Sequence, residues 1–154
     1  MTNPEDALEA MGGIESLERD LSNERIALAL EQEILRRYDL VLTNYQPIQA
    51  KIEEQLTTFR QNLLAAQTVK QQIAADPNVR RQLPVAKSLI QTIQRSLSTA
   101  EKRRSDIARQ VLADTEARAD MAHLVSEHQA AVTDLETNIN ALRRHLPDST
   151  AETS

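Results

Sequence analysis

Side chains that could carry out acid–base or metal chemistry lie close together in the second half of the chain. Asp120, His123 and Glu127 are separated by three and four residues, so a helix would place them near one face. His128 follows directly. Carboxylates and imidazoles at such spacings form metal sites inside helical bundles. This segment is therefore the first candidate for a chemical site.

A buried polar pair is the alternative interpretation of the same segment. A metal site would need a further carboxylate from another helix, either Glu24 or Glu31. The helical alignment derived below allows a contact between Glu31 and His128. Polar residues inside a coiled coil fix register or oligomeric state. We favour this pair over a metal or any other cofactor, and protonation of His128 then predicts mild pH sensitivity.

The elements that must position these residues are two long helices. Neither glycine nor proline occurs between residues 85 and 146, and Pro47 is the sole interruption between residues 14 and 75. The two stretches are equally long. The segment 76–84 between them contains two prolines and an Asp-Pro-Asn sequence, which predicts a turn.

Apolar residues recur with the seven-residue period of a coiled coil in both stretches. With Ile14 as the first a position of the first stretch and Ile90 as that of the second, fourteen of the eighteen a and d positions are apolar in each stretch. The predicted fold class is all-α, a long antiparallel two-helix coiled-coil hairpin with helices over 14–75 and 85–146. Pro47 falls at an outward-facing f position and predicts a kink. The alternative is a three-helix bundle broken at Pro47.

The two ends of the chain differ in sequence pattern from the two helical stretches. Asn3 and Pro4 are typical of a helix start, and the adjacent Gly12 and Gly13 predict that a short arm over 1–13 ends at a glycine hinge. Pro147 stops the second helix, and the polar tail 147–154 is predicted to be disordered.

Two alignments of the helices satisfy the heptads. We favour the one that places Tyr45 opposite Arg118 and Phe59 opposite Arg104, because each arginine then gains an aromatic face. The alternative buries Arg104 against Ile52.

One stripe of apolar residues on the first helix is not covered by the second helix of the hairpin. Four successive g positions are apolar, which widens the apolar face of the first helix beyond what one partner helix covers. This predicts dimerisation, most simply into a four-helix bundle, through Ala27, Ile34, Val41 and Ile48.

Charge is segregated along the chain. Residues 60–109 carry ten basic and three acidic residues, although the whole chain has a net charge of −5. Apolar residues beside arginines make the turn the favoured partner-binding site, at Val79, Arg80, Arg81, Leu83 and Lys87. A separate basic patch is predicted at Arg95, Lys102 and Arg103.

Composition excludes several classes of function. The chain has no cysteine, no phosphate-binding glycine loop and no nucleophile motif, so we expect no enzyme. The longest apolar run, 26–30, is far shorter than the roughly 20 residues of a membrane span, and no signal peptide begins the chain. We expect a cytoplasmic protein, or one within an intracellular or viral assembly.

Three functions remain. The favoured one is a non-enzymatic assembly or adaptor protein that acts as a scaffold, spacer or docking element, with itself or another helical protein as partner. The second is a regulator whose basic half, 60–109, engages nucleic acid or a nucleic-acid enzyme. The third is a chaperone of a secreted or assembling partner.

Overall fold

Two long helices account for nearly all of the chain. A computed structural model describes residues 4–146, which form α1 (Pro4–Ala75), a 3₁₀ turn (Arg80–Gln82) and α2 (Leu83–Arg144). No strand occurs within this range, and α1 and α2 pack against each other as a hairpin. The predicted all-α hairpin is confirmed. α2 ends at Arg144, two residues before the predicted end at 146, whereas Pro147, the tail that follows and Asn3 lie outside the described residues.

Pro47 does not interrupt α1, so the three-helix alternative is wrong. Proline removes one backbone hydrogen bond and crowds the preceding turn, at a cost of about 3 kcal/mol in a helix interior. Its side chain is exposed, as the f position predicts. Water can therefore satisfy the freed carbonyl, and the apolar residues on both sides keep their packing on α2.

The glycine pair does not interrupt α1 either. Gly12 and Gly13 both lie inside the helix, and neither has a positive φ, so the predicted separate arm is the first part of α1. Each glycine costs about 1 kcal/mol relative to alanine in a helix interior. Packing offsets this cost, because Ile14 is buried and the α-carbon of Gly13 faces Leu142 of α2.

The described chain contains two compact units, each with its own core. Unit 1 comprises Met1–Asp39 and Ala117–Ser154, and unit 2 comprises Leu40–Glu116. In unit 1, Leu21 and Ile139 are buried at the centre of an aliphatic cluster. In unit 2, Ile52, Leu56 and Ala100 form the corresponding cluster, with Phe59 packed against it. Every buried apolar residue of the described chain occupies a predicted a or d position.

Arg104 pairs with a carboxylate and not with an aromatic ring. Its Nη1 atom lies 3.4 Å from Oε1 of Glu53. The predicted contact with Phe59 is therefore wrong. Glu53 is adjacent to Ile52, the residue that the alternative alignment placed opposite Arg104. Leu56 likewise packs with Ala100, as the alternative alignment requires, so the favoured alignment of the helices is wrong in unit 2.

Arg118 also pairs with a carboxylate, in unit 1. It forms an ion pair with Asp39 and donates a hydrogen bond to its carboxylate. This hydrogen bond raises the pKa of the Arg118 guanidinium above its usual value. Tyr45 of unit 2 instead donates a hydrogen bond to Asp114. The predicted Tyr45–Arg118 contact joins residues of different units and stays a prediction.

Backbone and side-chain hydrogen bonds close the turn between the helices. Asp76 accepts a hydrogen bond from the backbone N–H of Asn78 at 3.0 Å, and the guanidinium of Arg80 donates to the Ala74 carbonyl at 3.3 Å. The second contact satisfies one of the last carbonyls of α1 and places a positive charge at the negative end of the helix dipole.

Candidate functional site

Glu24, Glu31 and His128 form a polar cluster inside unit 1. All three occupy d positions, so the helices direct them toward the interface between α1 and α2. Nδ1 of His128 lies 2.6 Å from Oε2 of Glu31, which is the contact that the sequence allowed. Nε2 lies 4.0 Å from Oε2 of Glu24. That Glu24 oxygen is buried and has no hydrogen-bond partner within the described chain.

The neighbouring candidate residues are not part of this cluster. His123 pairs with Glu127 on the exposed surface of α2, with Nε2 and Oε1 2.9 Å apart. Among residues 4–146, no group of three histidine, aspartate or glutamate side chains has the geometry to hold a metal ion. Within unit 1 the cluster is thus a partly buried polar contact with one incompletely satisfied carboxylate, and the pH sensitivity stays a prediction.

Tyr45 and Asp114 form a second polar contact, in unit 2. The Tyr45 hydroxyl donates to Oδ2 of Asp114 at 2.9 Å in a partly buried position. This hydrogen bond, together with desolvation and the negative charge of the carboxylate, raises the pKa of Tyr45 above 10.0. Ionising the phenol removes the donor and places two negative charges together.

We expect the Tyr45–Asp114 contact to make stability depend on pH in the alkaline range. Because the pKa of Tyr45 is higher in the folded chain, the contact stabilises the fold fully below the unfolded value of about 10 and is lost as pH rises through the folded value. Tyr38→Phe leaves Tyr45 as the remaining tyrosine, whose ionisation can be followed by ultraviolet absorbance. Adding Asp114→Ala should lower its pKa toward 10; an unchanged pKa would contradict the hydrogen bond.

The predicted partner-binding residues at the turn lie in different environments. Val79 and Leu83 are partly buried, and Arg80 is engaged with the end of α1. Arg81 and Lys87 are exposed and form no ion pair among the described residues. The two unpaired cations are therefore the members of this set that are available to a partner.

An apolar groove beside the turn was not predicted. It has a volume of about 790 Å³ and lies between the end of α1 and the start of α2 in unit 2. Its floor contains the buried Ala66 and Ala86, and its rim contains the exposed Val69, Val85 and Leu89. Val69 and Leu89 are g positions, and Val85 is a c position. A search of both helices for apolar residues at g and c positions would therefore have predicted the groove.

The predicted dimer stripe is also exposed. Ala27 and Ile34 belong to unit 1, and Val41 and Ile48 belong to unit 2. Ala27 is partly buried, whereas Ile34, Val41 and Ile48 are 39%, 41% and 44% exposed. In unit 1, Ile26 and Leu30 extend the exposed apolar surface.

Charges border the stripe at Ile34. Glu33 accepts hydrogen bonds from Arg36 and Arg37, and the pair with Arg36 lowers the pKa of Glu33 to about 2. An apolar residue with a charged border is the usual composition of a protein interface and its rim.

The predicted basic patch is exposed and unpaired. Arg95, Lys102 and Arg103 form no ion pair within residues 4–146. Arg95 and Arg103 line a shallow groove of about 350 Å³ beside Phe59. This surface is available to an anionic partner.

Comparison with known proteins found no matching family model, no similar curated protein and no similar solved structure. In the described part of the chain, neither helix has a stretch apolar enough to cross a membrane.

Proposed function

We propose that this protein is a non-enzymatic coiled-coil assembly or adaptor protein that acts through protein–protein contacts, first of all with a second copy of itself. The observation that carries the proposal is the exposure of Ile34, Val41 and Ile48 on a helix whose a and d positions already pack on α2. Burying such residues against another helix is favourable by about 25 cal/mol per Å² of apolar surface.

The charge of the two units supports self-association. Unit 1 contains seven basic and sixteen acidic residues, whereas unit 2 contains eleven basic and seven acidic residues. Contacts between unit 1 of one copy and unit 2 of another would bring opposite charges together. Complementary charge favours encounter and orientation of partners.

The acid–base candidates of the sequence form contacts within unit 1. The imidazoles of His123 and His128 are both held by glutamates of the same unit. A cytoplasmic location, or one inside an intracellular or viral assembly, is part of the proposal.

Self-association is tested by sedimentation velocity over a hundredfold range of concentration. We expect a species of twice the 17.3 kDa chain mass to grow with concentration. The double variant Ile34→Glu/Val41→Glu should remain monomeric, because each glutamate would bury a charge in the interface. Circular dichroism establishes that the variant stays helical.

Leu64→Glu/Leu112→Glu is the matched control. Both leucines are exposed b positions, so the control adds the same charge outside the stripe and should sediment like the unsubstituted chain. An unsubstituted chain that stays monomeric throughout would refute self-association and favour a different helical protein as the partner.

The exposed basic residues allow a test of the alternative function, a regulator that engages nucleic acid. Binding to duplex DNA that weakens as salt rises and is lost in Arg80→Glu/Arg81→Glu/Lys102→Glu would favour the nucleic-acid regulator. Binding that ignores these substitutions would remove that alternative.

A further inference from the structure

In each unit, the arginine–carboxylate ion pairs between α1 and α2 lie on one side of the core. Every such pair within residues 4–146 includes an e position. Arg25 and Glu136 of unit 1, for example, are both e positions. In an antiparallel pair of helices the e positions flank one side of the core and the g positions flank the other, here called the g side. Charged residues on the g side therefore do not join the two helices of the hairpin.

The g side of unit 1 contains an acidic groove with a volume of about 520 Å³. Asp20 and Glu24 of α1 and Asp134 of α2 line it, and none of its lining residues is basic. Asp20 and Asp134 are exposed and form no ion pair with the described residues. A cleft lined by one sign of charge concentrates the electric field and attracts the opposite charge. The acidic groove is therefore suited to a basic partner.

The g side of unit 2 contains a groove of the opposite charge. It is the shallow groove beside Phe59, here called the basic groove, which is lined by Arg95 and Arg103 and by no acidic residue. Both arginines are exposed and form no ion pair with the described residues. Gln55, a g position of α1, lines the same groove. The two units thus carry complementary charges on the g side.

The spacing of residues along α1 links both grooves to the apolar stripe. Asp20 lies one heptad before Ala27, where the stripe begins, and Gln55 lies one heptad after Ile48, where it ends. When two stripes overlap fully in antiparallel orientation, Ala27 of one copy faces Ile48 of the other, and Asp20 faces Gln55. This arrangement brings the acidic groove of each copy to the basic groove of the other. A parallel pairing would instead bring grooves of the same charge together, which is repulsive.

We infer that two copies of this chain pair antiparallel, with the acidic groove of unit 1 in each copy bound to the basic groove of unit 2 in the other. The inference rests on the proposed self-association and adds the orientation and the charged contacts of the pair. Burial of the stripe supplies the apolar attraction, and the grooves select the orientation. Because each copy supplies both grooves, the two contacts are related by a twofold axis and the pair is closed.

Charge reversal at the two grooves tests the inference by sedimentation velocity. In Asp20→Arg/Asp134→Arg, both grooves are basic, so we expect the dissociation constant of the pair to rise by about tenfold or more. In Arg95→Asp/Arg103→Asp, both grooves are acidic, and the same increase is expected. A chain with all four substitutions again has grooves of opposite charge. It should associate as strongly as the unsubstituted chain, because only an antiparallel pairing brings its opposite charges together.

Arg19→Asp/Arg144→Asp is the matched control for the variant with two acidic grooves. Arg19 and Arg144 are exposed f positions without an ion pair among the described residues, so this control should associate like the unsubstituted chain. Circular dichroism establishes that every variant stays helical. If the chain with four substitutions stays monomeric while the control associates, the groove contact is overturned, and a different basic protein is left as the occupant of the acidic groove.

Disulfide trapping measures the orientation separately. The chain has no natural cysteine, so full-length Ala27→Cys and Ile48→Cys chains are mixed in a glutathione redox buffer, and the three disulfide-linked pairs are quantified by mass spectrometry. We expect the mixed 27–48 disulfide to exceed each symmetric disulfide by about tenfold or more, because facing thiols have the higher effective concentration. An excess of the symmetric disulfides, with self-association intact, would overturn the antiparallel pairing alone. An unsubstituted chain that stays monomeric would overturn self-association and the pairing together.

Discussion

Replacing Leu56 by alanine is expected to lower the free energy of unfolding by about 2–5 kcal/mol. Leu56 is 0% exposed and is the centre of the aliphatic cluster of unit 2. The substitution removes the apolar contacts of the side chain and leaves a cavity that the surrounding side chains can only partly close. Urea denaturation followed by circular dichroism measures the change.

Leu64→Ala is the matched control for this prediction. Leu64 lies on the same helix and is 67% exposed, so its truncation should change the free energy of unfolding by no more than about 0.5 kcal/mol. Similar losses for both variants would mean that the core of unit 2 does not lie where the structure places it.

In the polar cluster of unit 1, we expect replacement of one residue to lower the stability of the fold and replacement of all three to raise it. His128→Leu should destabilise the chain by about 1–3 kcal/mol, because it leaves the partly buried Glu24 and Glu31 side chains without their shared partner. Replacing all three residues by leucine should instead raise stability above that of the unsubstituted chain by about 1–4 kcal/mol. Thermal unfolding of the two variants measures both effects.

The expected reversal has a specific cause in the structure. One oxygen of Glu24 is buried without a hydrogen-bond partner among the described residues, so the cluster carries an uncompensated desolvation cost. His123→Leu is the control, because His123 is largely exposed and should change stability by less than about 0.5 kcal/mol. A triple variant less stable than His128→Leu would show that the cluster itself stabilises the fold.

If so, the polar cluster serves to select one alignment of the helices and does not serve to stabilise the fold. Buried polar residues at core positions penalise alignments that separate them from their partners. We therefore expect the triple leucine variant to sediment as a broader mixture of oligomers than the unsubstituted chain, even though it is the more stable.

The sequence predicted the helices better than their ends and their pairing. Apolar residues at a and d positions identified the buried residues, including Leu56 and Ile139, because burial at those positions follows directly from the helical repeat. The helix end predicted at Gly12 and Gly13 does not occur. Local propensity costs only about 1 kcal/mol per glycine, and the packing of the neighbouring Ile14 exceeds it.

The partners of the core-facing arginines could not be predicted from the repeat. A heptad pattern leaves alignments one repeat apart equally allowed, and long arginine side chains reach residues on several turns of the facing helix. The choice of Glu53 for Arg104 and of Asp39 for Arg118 depends on where the side chains end in space.

The sequence by itself determined an all-α hairpin with a turn near residues 76–84 and the set of residues that fill its core. These follow from periodicity and from the positions of glycine and proline, which act locally. Only the tertiary structure decided that α1 runs unbroken through Gly12 and Gly13, that Glu24 keeps an unsatisfied oxygen, and that Val69, Val85 and Leu89 border a groove. Those features depend on how two helices approach each other, because a groove or an unsatisfied atom is defined by both surfaces at once.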